Sequence, residues 1–232
     1  MEGPEESEEE QSEQTEVSLK EDPLVSELII QKNKCKQLIS NAARLIAPVV
    51  GDSVISGHDW VISVLKTSDY KEIQSEIEMA KAMVYIEQRD ISAAIHLLKS
   101  FEKKDKRMMT IAACNLSFLY LLERDYQNAE KYCDIALKFD RYNCKALVNK
   151  GNCFYYQNDF DRAKENYLEA IGVQADCLEA LYNLAFVNKK LNAFMEALTA
   201  LEKLKSIVNN QPEVLFQLAS IFEMLGESFN FH

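Results

Sequence analysis

Residues 145–173 read KALVNKGNCFYYQNDFDRAKENYLEAIGV. Two stretches with helical apolar spacing flank the short polar run Gln157–Asp159. The spacing predicts two antiparallel helices joined by a tight turn. Each helix carries a small residue where the two would cross, Gly151 on the first and Ala163 on the second. Where two helices cross closely, only such residues let the backbones approach, and Phe154, Phe160 and Tyr167 fill the space beside the crossing. Asp159 stands just before the second helix, where a carboxylate can accept from the N–H groups that open it.

This pattern recurs. Ala94, Ala129, Ala163 and Ala197 are spaced 35, 34 and 34 residues apart. Ala82, Ser117, Gly151, Ala185 and Ala219 form a second small-residue series, and Ile91, Tyr126, Phe160 and Phe194 a third series of large apolar residues. A fourth runs Tyr85, Tyr120, Phe154 and Phe222, broken by Asn188. Asp90, Asp125 and Asp159 share one turn position, where the next unit has Ala193, and Pro212 opens the last helix. Series with a common period are the mark of stacked identical units, none of which buries its apolar face alone. The expected fold is all-α, an α-α solenoid.

Composition agrees. The 232 residues include only six Gly and four Pro, and 47% are hydrophobic. No apolar run is long enough to cross a bilayer, and the acidic start lacks the layout of a signal peptide. Cytoplasmic residence without membrane insertion is expected. The cysteines form no metal-ligand spacing, and Cys133 and Cys153 fall at packing positions of the repeat. His58, His96 and His232 are scattered. No phosphate loop, nucleophile–base pair or metal motif appears, so neither catalytic residues nor a cofactor or metal is expected.

The net charge of −11 is uneven. Residues 1–22 hold ten acidic residues against one Lys, which leaves the body nearly neutral. A stretch so charged and so poor in apolar groups is expected to be a disordered acidic tail. The body has no basic excess for phosphate, so nucleic acid is not an expected partner. Residues 23–74 should form a helical segment that packs on the solenoid. Its apolar stripe is Leu24, Leu28, Cys35, Leu38, Ile39, Ala42, Leu45 and Ile46, followed by a break at Gly57–His58. Trp60, the only Trp, is expected to be a buried anchor.

The residue series resemble the tetratricopeptide repeat, a helix–turn–helix family with this period. The resemblance covers residues 75–226. It divides them into units 75–109, 110–143, 144–177 and 178–211, with a partial unit at 212–226 and a C-terminal end at 227–232. The first unit departs, with one extra residue near Asp105–Met108 and with Phe101 where Ala136 and Ala170 stand in later units. A local kink in stacking is expected there.

Several segments are not dictated by repeat packing. They include AARLIAPVV, HDWVISVLKTSDY, LKSFEKKDKR and EALYNLAFVNKKLN. Together they are similar to the central part of the intraflagellar transport protein 88 (polaris) family. That likeness implies a non-catalytic protein-binding scaffold, a subunit of intraflagellar transport complex B needed for cilium assembly. Its implied partners are other complex B subunits and kinesin-linked transport trains. Its implied places are the cilium, axoneme and basal body or centriole, beside the cytoplasm and cytoskeleton. The family's chains are longer, and this one begins and stops within the array.

In such solenoids the first helices line the concave face. Matching positions there give the amide row Asn115, Asn149, Asn183 and Gln217, flanked by Phe118, Asn152, Tyr182, Phe186 and Phe216. Amides beside aromatics suit an extended peptide or an amphipathic helix. The competing reading is that the amides bond within the solenoid. A general cytosolic adaptor or co-chaperone is the alternative function. Co-chaperones of this family clamp a terminal carboxylate with Lys and Asn, and Cys114, Val148 and Tyr182 stand where that clamp needs Lys. The final helix is apolar on nearly every side, which points to self-association through Leu218 and Phe222. For the acidic tail, a chain starting at Asp22 should melt within about 2 °C of the full chain, below the ~2–4 °C that 1 kcal/mol moves a domain of this size. A larger drop in a thermal melt would show that the tail docks.

Overall fold

The computed structural model describes residues 23–209 and 211–230, with side chains through Gly226. The expected acidic tail at 1–22 lies outside the described residues, as do the side chains of 227–232. The described residues are helical, with no strand among them. The chain divides into two compact units, Met1–Gln88 and Arg89–His232. In sequence, the division falls in the turn of the first expected repeat.

The first unit contains α1 (Pro23–Ile46), α2 (Val54–Lys66) and α3 (Lys71–Glu87). Its core is Ala43, Ala47, Val61, Ile62, Leu65, Ile73 and Ile77, with Ile39 and Tyr70 packed against it. Ser53 opens α2 with a reciprocal capping box, its hydroxyl accepting from the Ser56 N–H. Gly57 then sits within α2 and does not break it. A Cβ there would lie 1.9 Å from the Ala47 carbonyl oxygen, so only glycine permits this approach. Neighbouring His58 is buried, its Nδ1 2.7 Å from the Val54 carbonyl oxygen.

Two expectations fail here. Trp60 is 51% exposed, because α2 turns Gly57, His58, Val61, Ile62 and Leu65 inward and Trp60 falls on the other face. The apolar stripe of α1 is also largely exposed, including Leu24, Leu28, Leu38 and Leu45. Of the stripe only Ile39 packs on this core, at its edge, and it is joined by Ala43 and, just past the helix end, Ala47, an i, i+4 row whose two small side chains allow a close approach.

The second unit runs α4 (Ile91–Lys99), a 3₁₀ turn (Ser100–Lys103), α5 (Lys106–Leu122), α6 (Tyr126–Phe139), α7 (Cys144–Tyr156), α8 (Phe160–Val173), α9 (Leu178–Lys190), α10 (Phe194–Ile207) and α11 (Pro212–Asn230). Helix pairs α5/α6, α7/α8 and α9/α10 pack as hairpins, each hairpin stacks on the next, and α11 closes on α10. This is a helical solenoid. Phe101 ends α4 early. Too large for the alanine position of later units, it is fully buried from a 3₁₀ turn that packs on α5.

The turns use one device. Arg89, Arg124, Asn158 and Asn192 all take left-handed backbone conformations, with φ of 62°, 61°, 63° and 57°. At the last three, the following N–H reaches back to the helix, as from Asp125 to the Tyr120 carbonyl at 2.9 Å and from Asp159 to the Phe154 carbonyl at 2.9 Å. The next carboxylate caps the second helix. Asp90, Asp125 and Asp159 accept from the N–H groups of Ala93, Asn128 and Arg162, while Ala193 caps nothing with its side chain. Asn188, which breaks the aromatic series, is 2% exposed, and its side-chain carbonyl has no hydrogen-bond partner. That orphan destabilises the α9/α10 hairpin relative to its aromatic counterparts.

The crossing of α7 and α8 is as tight as the sequence implies. A Cβ on Gly151 would lie 2.5 Å from the Tyr167 ring, and Ala163 is fully buried beside it. Gly172, on the same hairpin, has nothing within 4 Å of its Cβ position. Gly151→Ala should therefore cost ~1–3 kcal/mol by overpacking. Gly172→Ala should add up to about 1 kcal/mol through helix propensity. Denaturant melts of the two variants check this, and opposite signs are the expected outcome.

Candidate functional site

α5, α7 and α9, the first helices of three successive hairpins, lie side by side and in contact. Between them is an open groove of about 370 Å³. α5 contributes Cys114, Asn115 and Phe118, α7 contributes Lys145, Val148, Asn149 and Asn152, and α9 contributes Cys177, Glu179, Tyr182 and Asn183. A second hollow of about 240 Å³ shares Asn152, Tyr182 and Asn183 and adds Tyr155, Tyr156, Tyr167 and Phe186. The helical period puts these positions on one face, and the stacking aligns the faces.

Seven of the nine expected site residues therefore line these two hollows: Asn115, Phe118, Asn149, Asn152, Tyr182, Asn183 and Phe186. Phe216 and Gln217, on α11, line neither. Phe216 is 70% exposed, and the Gln217 Oε1 accepts from the Lys189 Nζ at 3.1 Å. The same Lys189 ammonium donates to the Ser220 Oγ at 3.2 Å, so it ties α9 to α11.

The amides divide by burial. Asn149 is buried, and its Nδ2 donates to the Cys114 carbonyl at 3.2 Å and the Ser117 Oγ at 2.8 Å. It is a brace between α5 and α7. Asn152 is half-buried, and its Oδ1 accepts from both the Tyr167 hydroxyl at 2.6 Å and the Asn183 Nδ2 at 2.9 Å. Those two donors occupy its carbonyl and so set which end of the amide can serve a ligand: the Nδ2 donor. Phe118, half-exposed, and Tyr182, whose ring centroid is 4.8 Å from that of Phe186, supply the apolar walls.

The groove has charged members that the amide series does not reveal. Ile111, Lys145, Glu179 and Glu213 occupy one repeat position, and Lys145 and Glu179 put opposite charges on adjacent helices at the groove. Aligning that position alone would have found them. Two thiols are unsuited to attack. Burial pushes the Cys114 thiol up to about 11, and burial, then the neighbouring Cys177, pushes Cys144 up to about 12. Burial raises the Tyr167 phenol as well, so it stays a hydrogen-bond donor. Among the described residues no cluster could hold a metal ion. The arrangement can recognise a chain by shape and hydrogen bonding.

At the far end of the array the closing helix differs from its expectation. Leu218 is buried with Val214 and Ile221, whereas Leu215, Phe216 and Phe222 are exposed. The buried row faces α10 and the preceding core, so the exposed apolar surface is narrower than composition implies.

Burial decides the next expectation. Asn149→Ala should cost ~1–3 kcal/mol, because it removes two hydrogen bonds from a buried site. Phe118→Ala, at a half-exposed position, should stay within about 0.5 kcal/mol. Chemical denaturation of both variants measures the difference.

Comparison with known proteins is consistent with this geometry. A family model described as tetratricopeptide repeat matches residues 79–143, and one for the anaphase-promoting complex, cyclosome, subunit 3 matches residues 123–204. The human protein named Intraflagellar transport protein 88 homolog is 42% identical over 113 residues, which is 49% of this chain and 14% of that protein. The match thus spans a small part of the relative's length. Among solved structures, a crystal structure of MamA superposes with a TM-score of 0.56 at 17% identity, covering 75% of this chain and 90% of that one. The first tetratricopeptide-repeat domain of the human RPAP3 protein gives 0.51 at 18% identity, covering 53% and 98%. These structural likenesses show the fold alone. The chain thus matches the tetratricopeptide repeat over residues 79–143 and resembles, over about half its length, part of the human Intraflagellar transport protein 88 homolog.

Proposed function

We propose that the chain is a non-catalytic protein-binding scaffold, a subunit or part of a subunit of intraflagellar transport complex B, acting in cilium assembly and ciliary protein transport. The 42% identity to the human relative carries the reading, because it extends over 113 residues and so beyond the few positions that repeat packing dictates. The groove between α5, α7 and α9 is the proposed contact surface. Its apolar walls are Phe118, Val148 and Tyr182, and Asn152 offers an amide donor in a fixed orientation. Such a groove fits an extended or helical segment of a partner subunit. The proposed places of action are the cilium, axoneme and basal body. No helix among the described residues is long and apolar enough to cross a membrane.

The alternative, a cytosolic co-chaperone adaptor, meets an obstacle in the groove. Cys114 and Val148 are buried where a carboxylate clamp needs lysines, and Glu179 adds a negative charge beside them. Lys145 only balances that charge, so the groove lacks the cationic excess that would hold a terminal carboxylate.

Affinity capture from ciliated cells tests the proposal, with bound proteins identified by mass spectrometry. The wild-type chain should enrich subunits of the transport complex. A Phe118→Ala, Tyr182→Ala variant with an unchanged melting temperature should recover at most about a tenth as much, as expected when central aromatic contacts are removed. Enrichment of chaperones instead of transport subunits would overturn the functional reading. Full recovery by the variant would move the contact away from this groove.

A further inference from the structure

The first turn of α5 buries Met108 but also presents cations that neither the packing nor the groove uses. α5 has 17 residues where α7 and α9 have 13, so its N-terminal end projects one turn beyond theirs. Asp105 starts that turn and accepts the Met108 N–H at 3.4 Å. The turn presents Lys106 and Arg107, both exposed, across from the segment that links α6 to α7. Between them lies a cleft of about 260 Å³, lined by Lys106, Arg107, Ile111, Phe139, Asp140 and Asn143, with the buried Thr110 at its base.

The charge around this cleft is opposite to that of the chain. Residues 103–107, KKDKR, hold four cations and one carboxylate, in a protein with a net charge of −11. The opposite wall adds Lys138 and Arg141 on either side of Asp140. The nearby carboxylates are engaged. Asp105 caps α5, Asp140 accepts the Tyr142 N–H at 3.2 Å, and Glu102 accepts the Tyr132 hydroxyl at 2.7 Å. Among the described residues no ion pair holds Lys103, Lys106, Arg107 or Arg141. The first turn of a helix also favours negative charge, so two cations in that turn of α5 are placed against the helix dipole. Within the cleft, Ile111 and Phe139 are each 39% exposed, and Tyr142 beside them is 72% exposed.

We propose that this cleft is a second interaction surface, distinct from the groove, which receives an acidic segment of a partner protein carrying one large apolar side chain. The cations of the rim pair with the segment's carboxylates, and the apolar side chain covers Ile111 and Phe139. Charge complementarity selects the occupant. A neutral segment would leave Lys106 and Arg107 without a counter-charge, and a basic one would be repelled. Nucleic acid and anionic membranes share the charge, and the vesicle and RNA arms of the test below distinguish them from a peptide.

The test uses the full chain and fluorescein-labelled synthetic peptides, read by fluorescence anisotropy. The probe is a glutamate peptide with a single central leucine, and its control replaces the glutamates with glutamines. The wild type should bind the glutamate probe, with affinity falling steeply as salt is raised, and should bind the glutamine control at least about tenfold more weakly. Lys106→Glu, Arg107→Glu should lose at least about tenfold in affinity for the probe. It should keep its melting temperature, because acidic residues suit the first turn of a helix. Lys203→Glu, Lys205→Glu makes the same charge change on exposed residues of α10 and should bind as the wild type does. The proposal is overturned if both double variants lose affinity equally, if the glutamine control binds as well as the probe, or if phosphatidylserine vesicles or single-stranded RNA bind the cleft more tightly than the peptide. None of these results depends on the groove or on a ciliary role.

Discussion

The contact of Gly151 with the Tyr167 ring supports much of what surrounds it. Because α7 has no side chain at that point, the ring of Tyr167 slides beneath the helix and α8 comes close. The ring is almost fully buried, which leaves its hydroxyl one partner within reach, the Oδ1 of Asn152 at 2.6 Å. That same oxygen accepts from Asn183 on α9. A packing constraint inside one hairpin is thus carried by two hydrogen bonds to the face of the next. The interior of the array positions the groove, and the orientation of a surface amide follows from the absence of a single Cβ.

This coupling resolves the two readings of the amide row. Aligned in sequence, Asn115, Asn149, Asn183 and Gln217 are equivalent, yet the structure gives three of them different work. Asn149 is a buried brace between α5 and α7, Asn183 joins α9 to α7 through Asn152, and Gln217 accepts from Lys189. An amide has both donors and an acceptor, so it can bridge helices with one end and face a ligand with the other. The two readings are not exclusive at Asn183. At Asn149, burial gives the structural role priority.

Irregularity in the first repeat reaches the surface of the next one. Phe101 cannot occupy the space of an alanine, so α4 ends early and the chain turns through a 3₁₀ segment into an α5 that starts four residues before Thr110. The extra turn separates this repeat from its copies and carries the basic run Lys103–Arg107 out to the surface. In a solenoid each unit touches only its neighbours, so such a departure is tolerated without disturbing the stack. Departures from the repeat are therefore where surface chemistry can vary most freely.

The sequence by itself determined the all-α class, the period, the small residues at the crossings and the carboxylate caps. Each of these is a local requirement, met by one residue type at one spacing and so visible in a single chain. The left-handed turn positions were hidden, because Arg89 and Arg124 occupy a conformation that glycine usually marks. Only the tertiary structure decided which face of α1 and α2 is inside. Ala43 and Ala47 won over the leucine stripe because small side chains allow the closer approach, and that choice left Trp60 outside. It also decided that Leu218 is core while Phe216 is surface, and that Lys145 and Glu179 share the groove with the amides. Helical periodicity shows that residues share a face, but which face is covered depends on the neighbour that packs against it.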